Sequence, residues 1–456
     1  MRTYQFKKPL FTVLITIIIV ATLGVGSFAA AAGLTMRQAD VTTVAYREKT
    51  EDSLNSSVTT SETAGFDVTK VGATGSDSSD DTQAIQNALD KYDSVYIPDG
   101  TYYINVDRML HLNSGQTLTL SEGATLQAMP TASGYYRIIT ISNVTDVAVS
   151  GGRIVGDRTV HTGSSGEWGM GIAVENGSKD VAISNIAISN CWGDGVFLGD
   201  GATVSNVTLD NVVCDNNRRQ GLSITNAVHV TITDCTFKNT NGTAPEAGID
   251  IEPDAGYTTS DITIKNTQCI GNAGSGIDLM GLAEYVRDIN ITESVISDNS
   301  GMGLRIYKAS EVQVTDTVTS NNFAGIEIPG DASNITFTGV TVTDNHWRGV
   351  SFVTSYQSDG CSNIVFESSN FSNNSKSYVN NEDGIRIDLW DASGYIKDVT
   401  FSNCQFYDDQ SSKTQRYGLT VGFTNNGMSG IVVESSCVFS GNIAGNYLGG
   451  NALTVA

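Results

Sequence analysis

The 456-residue chain carries 26 Lys and Arg against 49 Asp and Glu, a formal net charge of −23. That balance argues against nucleic acid or an anionic membrane surface as partner, and it disfavours a polyanionic ligand unless a basic patch or bound cation helps. Only 16% of residues are charged, and 47 Gly stand against 6 Pro, the profile of a β-rich chain with many polar turns. At the N-terminus Arg2, Lys7 and Lys8 precede an uncharged apolar run that ends in the small residues Ala29 to Ala32. Residues 1–32 read as a secretory signal peptide, or as an uncleaved anchor, because the run is long enough to span a bilayer. The remainder is expected outside the cell, touching a membrane only through that segment if it is kept. Residues 33–64 are rich in Ser and Thr without periodicity and read as a flexible spacer.

One convincing helix follows, with Asp80 or Asp81 as cap and Ala84, Ile85, Ala88 and Leu89 as its apolar face. Then internal repetition takes over. A Gly followed by alternating apolar residues recurs at Gly171, Gly195, Gly221, Gly248, Gly276, Gly303, Gly325, Gly349, Gly384 and Gly418. Between these lie VAISNI, VTLDNV, VTITDC, ITIKNT and their successors, short alternating strands that run into Asn- or Asp-rich turns. Each repeat is too short to form a sheet alone, so stacked copies must pair as parallel strands around a continuous apolar interior. Helical patterns are missing between the strands, which excludes doubly wound α/β folds. The expected fold is all-β: a right-handed parallel β-helix over residues 65–456, its end plugged by the short helix. Cys214 and Cys269 fall at an inward site one coil to either side of Phe237, about 9.5 Å apart and too far for a disulfide. The seven Cys are therefore expected as buried thiols, and the lack of CxxC or HxxxH spacing argues against zinc.

The block GATGSDSSDDTQAIQNAL with VYIPDGTYYI resembles the N-terminal cap of the pectate-lyase-like superfamily, which includes pectate lyases, rhamnogalacturonases and mannuronan C5-epimerases. The resemblance covers about residues 65–440 and implies a polysaccharide substrate, with lyase, hydrolase, epimerase or purely binding members all represented. The epimerase motif YGFDPH has its nearest counterpart in AGIDIEPD, where only Asp250 matches; Ala247 and Glu252 replace the Tyr and His.

Chemistry is expected on the outward positions two residues after each Gly. There Asp250, Asp278, Arg305, Glu327 and Arg386 succeed one another, with Glu252, Tyr307 and Asp388 two residues further on. Asp250 and Asp278 should sit on adjacent coils about 4.8 Å apart. Such carboxylates cannot both ionise cheaply, so one has a raised pKa or a cation lies between them. Asp250, Asp278, Glu252 and Arg305 are the catalytic candidates. No cofactor is otherwise required, and Ca²⁺ held by Asp250, Glu252 and Asp278 is the one metal the residues suggest. The turns ahead of the strands should form a lip carrying Trp192, Arg218, Arg219, Glu246, His346 and Trp347, whose rings and charges are expected to hold sugar, with Tyr307, Glu327, Arg386 and Asp388 on the face itself. The leading expectation is glycosidic cleavage by a carboxylate mechanism. Lyase or C5-epimerase chemistry and non-catalytic glycan binding stay open.

Overall fold

The computed structural model describes residues 65–354, 360–390, 393–422 and 427–456. The expected signal or anchor segment 1–32 and the spacer 33–64 lie outside the described residues. Every strand pairing is parallel, and strands recur in stacked coils that form a 13-stranded sheet and a 26-stranded sheet bent around the other sides of the helix. The 13-stranded sheet consists of the strands that follow the recurring glycines, with further strands at each end of the stack. It runs from Leu110–His111 through Ile249–Ile251, Ile277–Met280 and Met302–Tyr307 to Gly445–Leu448.

The repeat explains itself residue by residue. Ile172, Val196, Leu222, Ile249, Ile277, Leu304, Ile326, Val350, Ile385 and Leu419 form one inward column, each fully buried. Phe337, Phe366 and Phe401 stack at 4.5 and 5.1 Å between ring centroids, adding about 0.5–1.5 kcal/mol per pair beyond their burial. The glycines are needed for close approach. A Cβ on Gly276 would lie 2.2 Å from Ile296 and 2.8 Å from the Gly303 carbonyl oxygen of the next coil. The Asn and Asp of the turns occupy left-handed backbone: Asn185, Asn211, Asp234 and Asn266 have φ of 51, 54, 56 and 47° at one corner of successive coils. Their short polar side chains tolerate this conformation better than other L-residues do.

Cys214, Phe237 and Cys269 are successive partners in register, as expected. All seven cysteines are free, and six of them are buried. Helix α1 spans Thr82–Leu89 and buries Ile85, Ala88 and Leu89 against the first coil. Asp80 caps it, accepting from the Thr82 N–H at 3.0 Å. Asp81 instead accepts from the backbone of Thr74 (2.7 Å) and Tyr103 (3.1 Å), which ties the cap to the stack. Among the described residues no helix is long and apolar enough to cross a membrane.

Candidate functional site

The outer face of the 13-stranded sheet brings Ser223, Asp250, Asp278, Arg305, Glu327, Ser351 and Arg386 into one unbroken register. A second column joins them, the residue immediately ahead of each recurring Gly. Asp194, Gln220, Ser275 and Arg348 sit there and fold back over the first column. Gln220 Nε2 donates to Asp250 Oδ2 at 2.7 Å while its Oε1 accepts from the Ala247 N–H at 2.9 Å, so one side chain fixes both strand and acid. Gln220 and Ser275 escaped the sequence reading because only positions after the Gly were counted as facing outward. The bend at the Gly turns both positions to the same side.

Asp250 and Asp278 are outward but not open, at 3% and 5% exposure, because neighbouring side chains close over them. Burial first, and then the Asp278 and Glu252 carboxylates, push Asp250 well above the usual range; Arg219 opposes them. Burial raises Asp278 to about 6, opposed by the Ser275 hydroxyl and the Arg305 charge. Glu252 is half-buried and is also raised, chiefly by burial. Glu327 is raised by burial against Arg305, whose Nε lies 3.1 Å from its carboxylate. Asp194 is fully buried and raised to about 6 by burial, with Arg219 Nη1 at 2.9 Å working the other way. Unpartnered buried oxygens gather here: Asp194 Oδ1, Ser223 Oγ, Asp250 Oδ1 and Asp278 Oδ1. Buried polar groups normally find a protein partner, so these oxygens on neighbouring coils make this face the candidate site.

Residues 138–316 and 282–456 match the family described as the right-handed β-helix region. The chain belongs to this right-handed β-helix family. Among curated relatives it is similar to the uncharacterized protein YclG of Bacillus subtilis, 27% identical over 296 residues, covering 57% of this chain and 47% of YclG. It is also similar to the SPbeta prophage-derived uncharacterized protein YorA of the same organism, 25% identical over 327 residues, covering 62% and 54%. The chain thus spans about half the length of these curated relatives. Among solved structures it superposes on the A-module of the Azotobacter vinelandii mannuronan C-5 epimerase AlgE4 with a TM-score of 0.60 at 15% identity, covering 86% of this chain and all of the module. It superposes on the N-terminal fragment of bacteriophage phi29 gene product 12 with a TM-score of 0.63 at 15% identity, covering 83% and 71%. The Streptococcus pneumoniae surface adhesin PfbA gives 0.54 at 17%, covering 85% and 92%. At these identities the likeness is one of fold.

Several expected contacts of this β-helix are spent internally. Trp192 offers no free ring face, because His161 stacks on it at 3.7 Å and the Arg218 guanidinium lies 3.9 Å from its centroid. His161 is in turn held by Asp157 at 2.7 Å, and Arg218 donates to the carbonyls of Gly166 and Trp192. This group pins the loop at Gly166. Trp347 is likewise flanked by Phe323 at 5.4 Å and Arg348 at 4.0 Å. Glu246 accepts from the Gly242 N–H and closes its own loop. His346 is exposed, 3.0 Å from the Ser377 hydroxyl. Arg386 and Asp388 pair at 2.7 Å inside a second ion-pair network with Arg348, Glu382, Asp383 and Arg416. They are thus compensated and stand apart from the Asp250 cluster. Tyr307 is half-buried on the face beside Met280. Among the described residues no group of three or more His, Cys, Asp or Glu side chains is placed to hold a metal ion.

Proposed function

We propose that this protein is an exported, polysaccharide-active enzyme of glycoside-hydrolase type, working at the Asp194–Asp250–Asp278 cluster. The observation that carries the reading is the run of buried carboxylates on adjacent coils with raised pKa values and unpartnered oxygens, flanked by Arg219 and Arg305. Environments that separate two carboxylate pKa values assign an acid and a base. Asp250, whose carboxyl burial pushes well up, is placed as the acid that protonates the glycosidic oxygen. Asp278, near 6 and beside Arg305, ionises more readily and serves as nucleophile or base. Neighbouring coils are about 4.8 Å apart, close to the roughly 5–5.5 Å between the two carboxyls of retaining glycosidases. Glu252 and Arg219 tune the pair, and Arg305, whose side chain is 37% exposed, is the group an entering sugar meets. The fold shared with a mannuronan C-5 epimerase module is in keeping with a glycan as ligand.

A second reading, glycan binding without turnover, is favoured by the low exposure of Asp250 and Asp278, since a reacting sugar must reach them. A panel of neutral and uronate polysaccharides separates the readings. New reducing ends without absorbance at the unsaturated-uronate band mark a hydrolase. Growth of that absorbance marks a lyase and overturns the hydrolytic assignment. Retention on immobilised glycan with neither signal leaves the binding reading alone.

A further inference from the structure

The rim of the face upstream of the acids carries two aromatic rings open to solvent. Tyr135 is 56% and Trp168 46% exposed, and the two are register partners on neighbouring coils. The next aromatic in that rim column, Trp192, is closed on both faces. Single exposed aromatics are common, but these two are neighbours in register and share one buried arginine. Arg137, 2% exposed, lies against the Tyr135 ring and holds the Trp168 main chain. Its guanidinium carbon sits 4.4 Å from the Tyr135 ring centroid, its Nη2 donates to the Tyr135 hydroxyl at 3.3 Å, and its Nη1 donates to the Trp168 carbonyl at 3.0 Å. Glu175 fixes Arg137 in turn through Nε (2.8 Å) and Nη2 (2.5 Å). Met170, Ala173 and Phe197 complete a small apolar cluster on the same outer face. A buried ion pair that backs the Tyr135 ring and fixes the Trp168 main chain is costly for stability alone, and it leaves this pair less to order when a ligand arrives.

We propose that Tyr135 and Trp168 form a sugar-stacking subsite that receives the glycan about three coils before Asp250. The inference rests on the glycan-active reading above and adds the direction in which the polymer lies. The chain runs along the helix axis, from Tyr135 across five coil steps to Asp278, about 24 Å. An extended pyranose polymer advances by nearly one coil per sugar, so alternate faces of successive rings meet the rim. Short oligosaccharides that fill only the acid cluster should therefore be handled poorly beside the polymer.

The test is affinity electrophoresis of the full chain in native gels cast with glucomannan, xylan, soluble α-glucan, polygalacturonate or alginate. At least one gel should slow the wild type. Tyr135→Ala and Trp168→Ala should each weaken that retardation about three- to tenfold. Trp168→Phe keeps a ring, so it should stay retarded while losing the shift in tryptophan emission seen when the retarding glycan is added. Melting curves of the three rim variants report their folding, and Trp168→Phe carries the test if an alanine variant unfolds. Unaltered retardation of both folded alanine variants overturns the subsite even if sugar release depends on Asp278. An emission shift that persists in Trp168→Phe, or a wild type slowed by none of the five gels, overturns it as well. Retardation that needs the two rings in a protein that releases no sugar upholds the subsite and removes only the catalytic reading.

Discussion

At the scale of the residue, the acid pair shows how placement changes the meaning of a side chain. Read as outward and open, Asp250 would be replaceable without structural effect; in the fold it is enclosed and bonded to Gln220. The structure therefore gives a sharper expectation for Asp278. Its folded pKa, about 6, lies above the unfolded value near 3.9, so the neutral form is the one the fold favours. The stability this provides is complete below about pH 4 and is lost as pH rises through 6. Asp278→Asn, neutral at every pH, should be more stable than wild type at pH 7 by about 2–3 kcal/mol and equal to it near pH 4. Thermal melts of the two proteins at both pH values measure this, and parallel curves would contradict the burial-driven shift. Activity should move the other way, with Asp250→Asn and Asp278→Asn each losing about 10²–10⁴-fold in rate while keeping the wild-type circular dichroism. Full turnover in a folded Asp250→Asn protein would place the chemistry elsewhere.

At the scale of the element, the repeat is held by a ladder that the turn pattern concealed. Asn272, Asn299, Asn322, Asn345 and Asn374 are fully or almost fully buried and stacked coil on coil. Asn299 Nδ2 donates to Asn322 Oδ1 at 2.8 Å and to the Cys269 carbonyl at 3.0 Å, while its Oδ1 accepts from both nitrogens of Asn272. Asn299→Ala strands these groups in the interior and should cost about 3 kcal/mol or more, read as a lower denaturation midpoint at constant slope. An unchanged midpoint would mean the ladder contributes nothing net. The strands, the inward columns and the cap helix were legible in the sequence because alternation and Gly spacing encode them directly. The Asn ladder was legible only in part. Asn272, Asn299 and Asn345 stand four residues before Gly276, Gly303 and Gly349, but in a turn Asn also suits left-handed backbone, and spacing alone does not separate the two uses. The face of Asp250, Asp278, Arg305 and Glu327 followed from register. The pairing of Trp192 with His161 did not, because it joins different loops and has no period. The bracing of Tyr135 and Trp168 by Arg137 was hidden for a related reason: those strands precede or open the Gly series, where the template is weakest.

At the scale of the whole molecule, stability is a sum over coils that each touch only their neighbours, so the ends decide how the stack behaves in solution. Limited proteolysis should remove the residues before about 65 and leave one resistant core; two resistant fragments of similar size would break the single-stack view. The N-terminal end is closed by α1, whose Ile85, Ala88 and Leu89 are at 0–1% exposure over the first coil. Gln116 helps fasten that end, with Nε2 donating to the carbonyls of Tyr92 and Leu89. Beneath the cap lie strands whose outward N–H and C=O groups would otherwise be free to pair with another chain. Ile85→Asp places a carboxylate in this contact, where no basic group of α1 can meet it. The helix must then lift or carry the charge protonated, at a cost of about 3 kcal/mol or more. The rest of the stack makes its own contacts and should stay folded, so the variant should keep a strand-rich spectrum while light scattering reports association that grows with protein concentration. A variant that stays monodisperse and melts with the wild type would show that the cap is dispensable and that the edge is protected by the coil itself.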